Sequence, residues 1–405
     1  MGRKGVLGTA VSTLAVLGLV SGCGSFGGGS QASVGASNVI KIGTLYAKSG
    51  AFATSSMPEY EGLKFWVHQV NKDGGVFVKA TGKREKVQLV AYNDQSSTQT
   101  ATNLYNQLIT QDHVNIFVSD FGSVLTSVAI PVAKEHKMLL FDQSGTGVSF
   151  FSNNNPYIVL TSLRSSALWP DSLAKYVIQR NLTKVAIVYD SNDFDQSQEA
   201  TLKSKMKSAG LTPIYDHAVS TSTSNYSVIL HDIQEKHPDM VIEFGYPNND
   251  LAFLQDLRAG SYNFSKVFTI FPGQLPALFV KNLGKKAIDG TYTYPTPPLI
   301  KEPGVTYGLS LQEFETKFQS YSKQTPNFLN VAGYNTGLIV EKTLETAKGL
   351  SQLDLRQAVN QFSGKIRTLD GNFQINPENG AQVGEALPVG KWTEVGGKLT
   401  IQVVD

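Results

Sequence analysis

The chain has 405 residues, with 35 Lys and Arg against 33 Asp and Glu, so its formal net charge is +2. Hydrophobic residues make up 41% and charged residues 17%, a composition that can bury a core and excludes intrinsic disorder. The charge is balanced and has no long basic block, which disfavours a nucleic-acid binder, because such proteins normally show a basic face. The length allows about two to four domains. The single cysteine excludes an internal disulfide and any multi-cysteine metal site.

The first residues have the build of an export signal. A short basic start precedes an uncharged run over residues 6–20, which is shorter than the about 20 residues of a membrane span. The run ends in VSGC, in which the last residue is Cys23. This order resembles the lipobox of bacterial lipoproteins, which implies cleavage behind Gly22 and lipidation of Cys23. A secretory signal with a coincidental free thiol is the alternative.

From residue 39 strands and helices alternate. In the first half, apolar runs predict strands and amphipathic runs predict helices. The strands are expected at residues 39–46, 87–94, 114–120 and 138–144, and the helices at 58–71, 98–110 and 123–136. The pattern then restarts, with strands at 185–190, 240–246 and 267–271 and helices at 168–179, 196–208, 226–235 and 250–259. Such strands indicate parallel sheets with helices on both faces.

The last part of the chain is too short for a third domain. A Pro-rich loop follows residue 292, and helices are predicted at 309–323 and 331–348. Sheet-like runs close the chain at 371–375 and 398–404. We expect these pieces to complete two α/β lobes. Ligands of open α/β sheets bind beyond the carboxyl ends of the strands, so two facing sheets predict a cleft.

Several segments in this order match one family. They are VNKDGGV (70–76), VQLVAYNDQSSTQTA (87–101), AIPVAKEHKMLLFDQSGT (129–146) and GNFQINPENG (371–380). The chain resembles the type I periplasmic binding fold, in the leucine/isoleucine/valine-binding branch of solute receptors for ATP-binding-cassette (ABC) importers. That resemblance implies two doubly wound lobes joined by a multi-strand hinge, with the ligand cleft between them.

The resemblance also divides the chain. It implies a signal peptide at 1–22, a lipidated cysteine with a Gly/Ser tether at 23–37, a first lobe at 38–163 and 293–370, and a second lobe at 164–292 and 371–405. Arg164 falls at the predicted crossing between the lobes, where a hinge-side ion pair is expected more than a ligand contact.

Five positions match ligand-binding positions of the amino-acid receptors. The resemblance places a ligand carboxylate at Ser123, Ser144 and Thr146. From the second lobe, Phe194 matches a family aromatic that closes over the ligand, and Tyr246 matches one near the ligand ammonium group. The chemistry agrees, because Ser123 opens a predicted helix whose free N–H groups and positive dipole end favour an anion. A helix cap at Ser123 and a simple turn at Ser144 and Thr146 are the structural alternatives.

Two positions depart from the family. Amino-acid binders place a Glu after the strand that here ends near residue 271, whereas this chain has Gln274 close behind it. An amide does not neutralise a desolvated ammonium group. Asp142 either replaces that carboxylate from the other lobe or lies outside the pocket. These departures weaken a branched-chain amino acid as ligand and leave amides, urea-like compounds and small aromatic acids open.

The sequence therefore predicts an extracytoplasmic solute-binding lipoprotein that delivers a small amino-acid-like solute to an ABC permease. A sensor lipoprotein that presents solute to a signalling partner is the second hypothesis. No hydrolase, metalloprotease or nucleotide-binding motif is present in the sequence, so we expect no enzyme activity, cofactor or metal. Nucleic acid is not an expected partner. Membrane contact is expected through the lipid at Cys23 alone, on the outer face of the cell membrane.

Overall fold

A computed structural model describes residues 39–153, 155–260 and 262–404. The predicted signal peptide, Cys23 and the tether lie outside the described residues. The strands are β1 (Val39–Tyr46), β2 (Val76–Val78), β3 (Lys83–Asn93), β4 (Ile116–Val118), β5 (Leu140–Asp142), β6 (Ile158–Leu160), β7 (Val185–Asp190), β8 (Tyr215–Val219), β9 (Met240–Phe244), β10 (Val267–Phe268), β11 (Tyr292–Thr293), β12 (Ile366–Thr368), β13 (Gly371–Phe373), β14 (Gly390–Val395) and β15 (Lys398–Val403).

The helices lie between and after these strands. They are α1 (Ala53–Lys72), α2 (Thr98–Thr110), α3 (Gly122–Glu135), α4 (Asp171–Gln179), α5 (Asp193–Ser208), α6 (Ser227–Gln234), α7 (Pro247–Ala259), α8 (Pro276–Leu283), α9 (Lys285–Ile288), α10 (Leu311–Ser322), α11 (Phe328–Thr346) and α12 (Gln352–Phe362). In the described part of the chain, no helix is long and apolar enough to cross a membrane.

The first lobe is built on a six-stranded sheet in the order β2-β3-β1-β4-β5-β6. Its strands run parallel except for the β2–β3 hairpin, and β1 pairs with β3 from Val39↔Lys86 to Tyr46↔Asn93. Helices α1 and α11 pack so closely together on this sheet that a side chain at position 62, which is Gly62, would overlap the backbone of Asn330. This contact brings the late helix α11 back to the start of the chain.

The second lobe is built on a seven-stranded sheet in the order β15-β14-β11-β10-β9-β7-β8. Its neighbouring strands pair in parallel except for β11–β14 and β14–β15, which are antiparallel. Strands β7 and β9 are buried along nearly their whole length, as expected for the centre of a doubly wound sheet. The hydrophobic core of this lobe continues across to side chains of the first lobe, among them Phe52, Phe121 and Phe328.

The chain passes between the two sheets after β6, after β11 and after β13. These three connections pack side by side, since Leu163, Thr296 and Ala386 line one small cavity together with Asp370. The carboxylate of Asp370 accepts hydrogen bonds from Ser162 Oγ at 2.9 Å and Asn335 Nδ2 at 2.6 Å. Arg164 lies in the same region and pairs with Asp171 at 3.6 Å, the hinge-side ion pair expected from the sequence. The connections therefore form a three-segment hinge beside the cleft.

Candidate functional site

A small cavity lies between the lobes at the carboxyl ends of their strands. Its volume is about 20 Å³, room for about one water molecule. The first lobe contributes Ser144 and Thr146 to its wall, in the loop that follows β5. Its other walls are largely aromatic, with rings from Phe121, Trp169, Phe194, Tyr246, Phe271 and Phe328. Sites for small molecules usually measure about 300–1,000 Å³, so a solute enters this cavity only when the lobes separate.

The start of α3 forms one end of the cavity. Gly122 has φ +72°, and a Cβ built there would lie 3.2 Å from the ring and hydroxyl of Tyr246. Its N–H donates to Ser144 Oγ at 3.0 Å, and the N–H of Ser123 donates to Tyr246 Oη at 3.0 Å. Two of the free amides of this helix N-terminus are therefore held by hydroxyl oxygens at the cavity.

The loop after β5 shapes the other polar wall. Asp142 ends β5, and its Oδ1 accepts hydrogen bonds from Gly145 N at 2.7 Å and Ser119 Oγ at 3.1 Å. Burial raises the pKa of Asp142 to about 7, against these hydrogen bonds that lower it. Asp142 does not line the cavity; it holds the turn that carries Thr146. Thr146 is 2% exposed, and its buried side-chain hydroxyl has no hydrogen-bond partner among the described residues.

Aromatic rings connect the two lobes around the cavity. The ring of Tyr246 lies 5.5 Å from Phe52, 6.0 Å from Phe121 and 5.5 Å from Phe194, measured between centroids. The pairs with Phe52 and Phe121 have edge-to-face geometry, which the opposite charges of ring edge and face favour. Other pairs extend this network to Trp169, Phe271 and Phe328. The lobes are thus held together by seven aromatic side chains.

Gln274 lies apart from this cavity. It follows a 3₁₀ turn at Phe271–Gly273 and is 2% exposed, with no hydrogen-bond partner for its amide among the described residues. It lines a different, larger groove of about 580 Å³ with Leu275, Pro276 and Asn327. The side-chain amide therefore does not reach the residues of the aromatic cavity.

Buried carboxyl groups lie behind both walls of the cleft. Eight of them are at most 1% exposed: Glu59, Asp94, Asp120 and Asp142 in the first lobe and Asp190, Asp195, Glu243 and Asp250 in the second. None takes part in the ion pairs formed by the described residues. Burial raises the pKa of each of them. In the described part of the chain, no group of three or more His, Cys, Asp or Glu could hold a metal ion.

The structure brings most of the candidate residues together. One cavity is lined by Ser144, Thr146, Phe194 and Tyr246. The backbone N–H of Ser123 donates a hydrogen bond to the hydroxyl of Tyr246 at this cavity. The side chain of Ser123 instead accepts a hydrogen bond from Gly147 N at 3.1 Å. Sequence reasoning missed three rings, at Phe121, Phe271 and Phe328. The first of these directly precedes the start of α3, so its position offered a signal, whereas the other two offered none.

Comparison with known proteins identifies the class of protein. The family model for periplasmic binding proteins matches residues 39–397. The chain belongs to the periplasmic binding protein family, in agreement with the resemblance found in the sequence. Among curated proteins, it is similar to Leu/Ile/Val-binding protein homolog 8 of Brucella abortus. The two are 22% identical over 304 residues, which cover 73% of this chain and 74% of the relative.

Solved structures have the same fold. A branched-chain amino acid transporter substrate binding protein from Streptococcus pneumoniae, in complex with isoleucine, has a TM-score of 0.75 and 17% identity. The match covers 91% of this chain and 99% of that one. An ABC transporter solute binding protein from R. palustris, in complex with benzoate, has a TM-score of 0.73 and 17% identity, covering 90% and 96%. At these identities the likeness establishes the fold, the type I periplasmic binding architecture.

Proposed function

We propose that this protein is an extracytoplasmic solute receptor of an ABC importer, which captures a small solute by hinge closure and delivers it to a membrane permease. The observation that carries the proposal is the hydrogen bond from Ser123 N to Tyr246 Oη, which joins the lobes across the cavity at 3.0 Å. A solute with an anionic group would meet the α3 amides and the Thr146 hydroxyl on the first lobe. The second lobe would then close over it with Phe194 and Tyr246.

The solute is amino-acid-like in our proposal, with amides, urea-like compounds and aromatic acids as the alternatives. The similar structures support this range, because one holds isoleucine and another holds benzoate. Binding alone is the proposed activity. The cavity offers hydroxyls, amides and rings, and Asp142 is turned toward its own loop, so no acid and base face one another there.

Calorimetric titration of the full chain, purified in detergent, tests the proposal. The panel comprises amino acids, amides, urea and aromatic acids. We expect one class to bind with micromolar affinity, about 8 kcal/mol. We also expect Thr146→Ala and Tyr246→Ala to weaken that binding. If no small solute binds, or if both variants bind it unchanged, the proposed function or its site is wrong.

Lipid anchoring and the permease have their own tests. Cys23 lies outside the described residues, so anchoring rests on the sequence pattern. We expect Cys23→Ser to release the protein from membranes, and a variant that stays in the membrane fraction would contradict the anchor. Genes for a permease and an ATPase beside this gene would favour transport over signalling.

A further inference from the structure

The side chain of Tyr246 indicates what kind of group the first lobe accepts. It places a flat six-membered ring against Phe52, Phe121 and Phe194, with centroids 5.5, 6.0 and 5.5 Å away. The oxygen at the end of that ring accepts the N–H of Ser123 at 3.0 Å. A ring that carries an oxygen at one end therefore fits both the apolar wall and the start of α3.

The polar end of the cavity favours a negative charge. It lies at the N-terminus of α3, a helix of 14 residues whose free amides carry a positive partial charge. Independent of the helix, the buried hydroxyl of Thr146 lines the cavity without a partner among the described residues. A carboxylate has two oxygens, so it can accept from the Ser123 amide and the Thr146 hydroxyl together.

The rest of the cavity disfavours a positive charge. None of its described lining residues is charged. Asp142 is occupied by its own turn, and Asp195 and Glu59 are likewise absent from the wall. An ammonium group would lose its water there without a carboxylate in contact, which is costly.

We propose that the solute of this cavity is an aromatic monocarboxylate, a flat ring with one carboxylate and no ammonium group. The inference rests on the proposed function and, among the solutes left open there, selects the aromatic acids over the amino acids. The carboxylate binds the Ser123 amide and the Thr146 hydroxyl. The ring packs between Phe121 of the first lobe and Phe194 of the second, and so continues the edge-to-face contacts that Tyr246 now makes across the cleft with Phe52 and Phe121.

Titration of the full chain in detergent with six matched probes tests this class. Benzoate is the reference; benzamide lacks the charge, cyclohexanecarboxylate lacks the flat ring, and phenylalanine and isoleucine add an ammonium group. Glycine betaine tests a cation site. We expect benzamide and both amino acids to bind about tenfold or more weakly than benzoate, the ratio that a charge-assisted hydrogen bond gives. Cyclohexanecarboxylate should bind more weakly than benzoate, and glycine betaine should not displace bound benzoate.

The outcomes separate the two proposals. Isoleucine, phenylalanine or glycine betaine binding as tightly as benzoate would overturn the aromatic-acid assignment and leave solute capture intact. If benzoate does not bind while an amide or urea does, the aromatic-acid assignment is likewise overturned and solute capture remains intact. If no probe and no solute of the wider panel binds, both proposals fail. Benzoate binding that survives Thr146→Val unchanged would also overturn the assignment, because that variant keeps the shape of the side chain and removes its hydroxyl.

Discussion

Tyr246 Oη accepts a hydrogen bond from Ser123 N across the cleft, at 3.0 Å. Tyr246 precedes α7 in the second lobe, and Ser123 lies in the first turn of α3 in the first lobe. The tyrosine hydroxyl thus holds a backbone amide that a ligand oxygen would otherwise use. The Tyr246 hydroxyl and an oxygen of an acidic solute therefore compete for the same N–H group, whereas the Tyr246 ring remains free to close over the solute.

Removal of this hydroxyl should strengthen solute binding. Tyr246→Phe keeps the ring and leaves the Ser123 amide open to the ligand. Because a hydrogen bond contributes about 0.5–1.5 kcal/mol net, we expect affinity for a bound carboxylate to rise about two- to tenfold. Calorimetry measures the change, with Tyr92→Phe as control because that hydroxyl bonds Asp112 elsewhere. A loss of affinity would mean that the Tyr246 hydroxyl contacts the solute itself.

The hydroxyl of Thr146 should matter for binding and little for stability. Thr146→Val removes it without changing the shape of the side chain, and it has no partner to lose among the described residues. We expect carboxylate affinity to fall about tenfold or more, since hydrogen bonds to charged groups contribute about 1.5–3 kcal/mol. Thr291→Val is the matched control, because that hydroxyl is also buried and unpartnered within the described residues. Equal affinities in the two variants would contradict the role of Thr146.

Gly122 should be required for a reason beyond its backbone angle. An alanine at 122 meets both strain at φ +72° and the Tyr246 ring at 3.2 Å, whereas Gly210 has φ +76° with open space around it. Both alanine variants should lose about 1 kcal/mol of stability to the strained backbone. Only Gly122→Ala should also weaken solute binding, by about tenfold, because it disturbs the α3 amides. Thermal unfolding and titration of both variants check this, and an equal effect on binding would count against it.

The buried carboxyl groups predict a protein that is more stable in acid. A carboxyl whose pKa is raised by folding stabilises the fold below its unfolded pKa near 4, and this contribution is lost as the pH rises toward the folded value. Folded pKa values are about 7 for Asp142, about 8 for Asp250 and about 9 for Asp190. The free energy of unfolding should therefore fall between pH 4 and pH 9.

Urea unfolding at pH 4.5, 6 and 8 measures this dependence. Asp142 alone should account for a fall of up to about 3 kcal/mol over this range, since its pKa is raised from near 4 to about 7. Asp142→Asn should flatten the profile, because the amide can accept the same hydrogen bonds and never ionises. Asp73→Asn, at an exposed position, should leave the profile unchanged. A wild-type protein that becomes more stable from pH 4.5 to 8 would refute the prediction.

Elements with clear apolar runs or caps were predicted to the residue. Strands β1 and β7 and helix α2 have the expected bounds, and Ser97 caps α2 by accepting a hydrogen bond from Thr100 N. Strand β8 was missed because it is a sheet edge with mostly exposed side chains, so it lacks the apolar run of a central strand. Helix α12, beyond the two late helices predicted, was missed as well.

The site was predictable only in part. Ser144 and Thr146 lie at the end of a predicted strand, so the local pattern and the resemblance were enough to place both hydroxyls at the carboxyl edge of the sheet. The ring network could not be predicted, because Phe52, Phe121 and Phe328 meet the rings of the second lobe only once the two lobes face each other. Gln274 was expected near the ligand, yet β10 ends at Phe268 and the following turn carries that side chain to another groove.

The hinge at Asp370 limits how the lobes can move. Three chain segments cross there, and one tether would allow the lobes to rotate in any direction, whereas three side by side oppose twisting and sliding. Opening is then a rotation about one axis, with the largest displacement at the far rim, where Asn248 Nδ2 bonds Ala51 O at 2.8 Å. A single distance between labels on that rim would follow the whole motion.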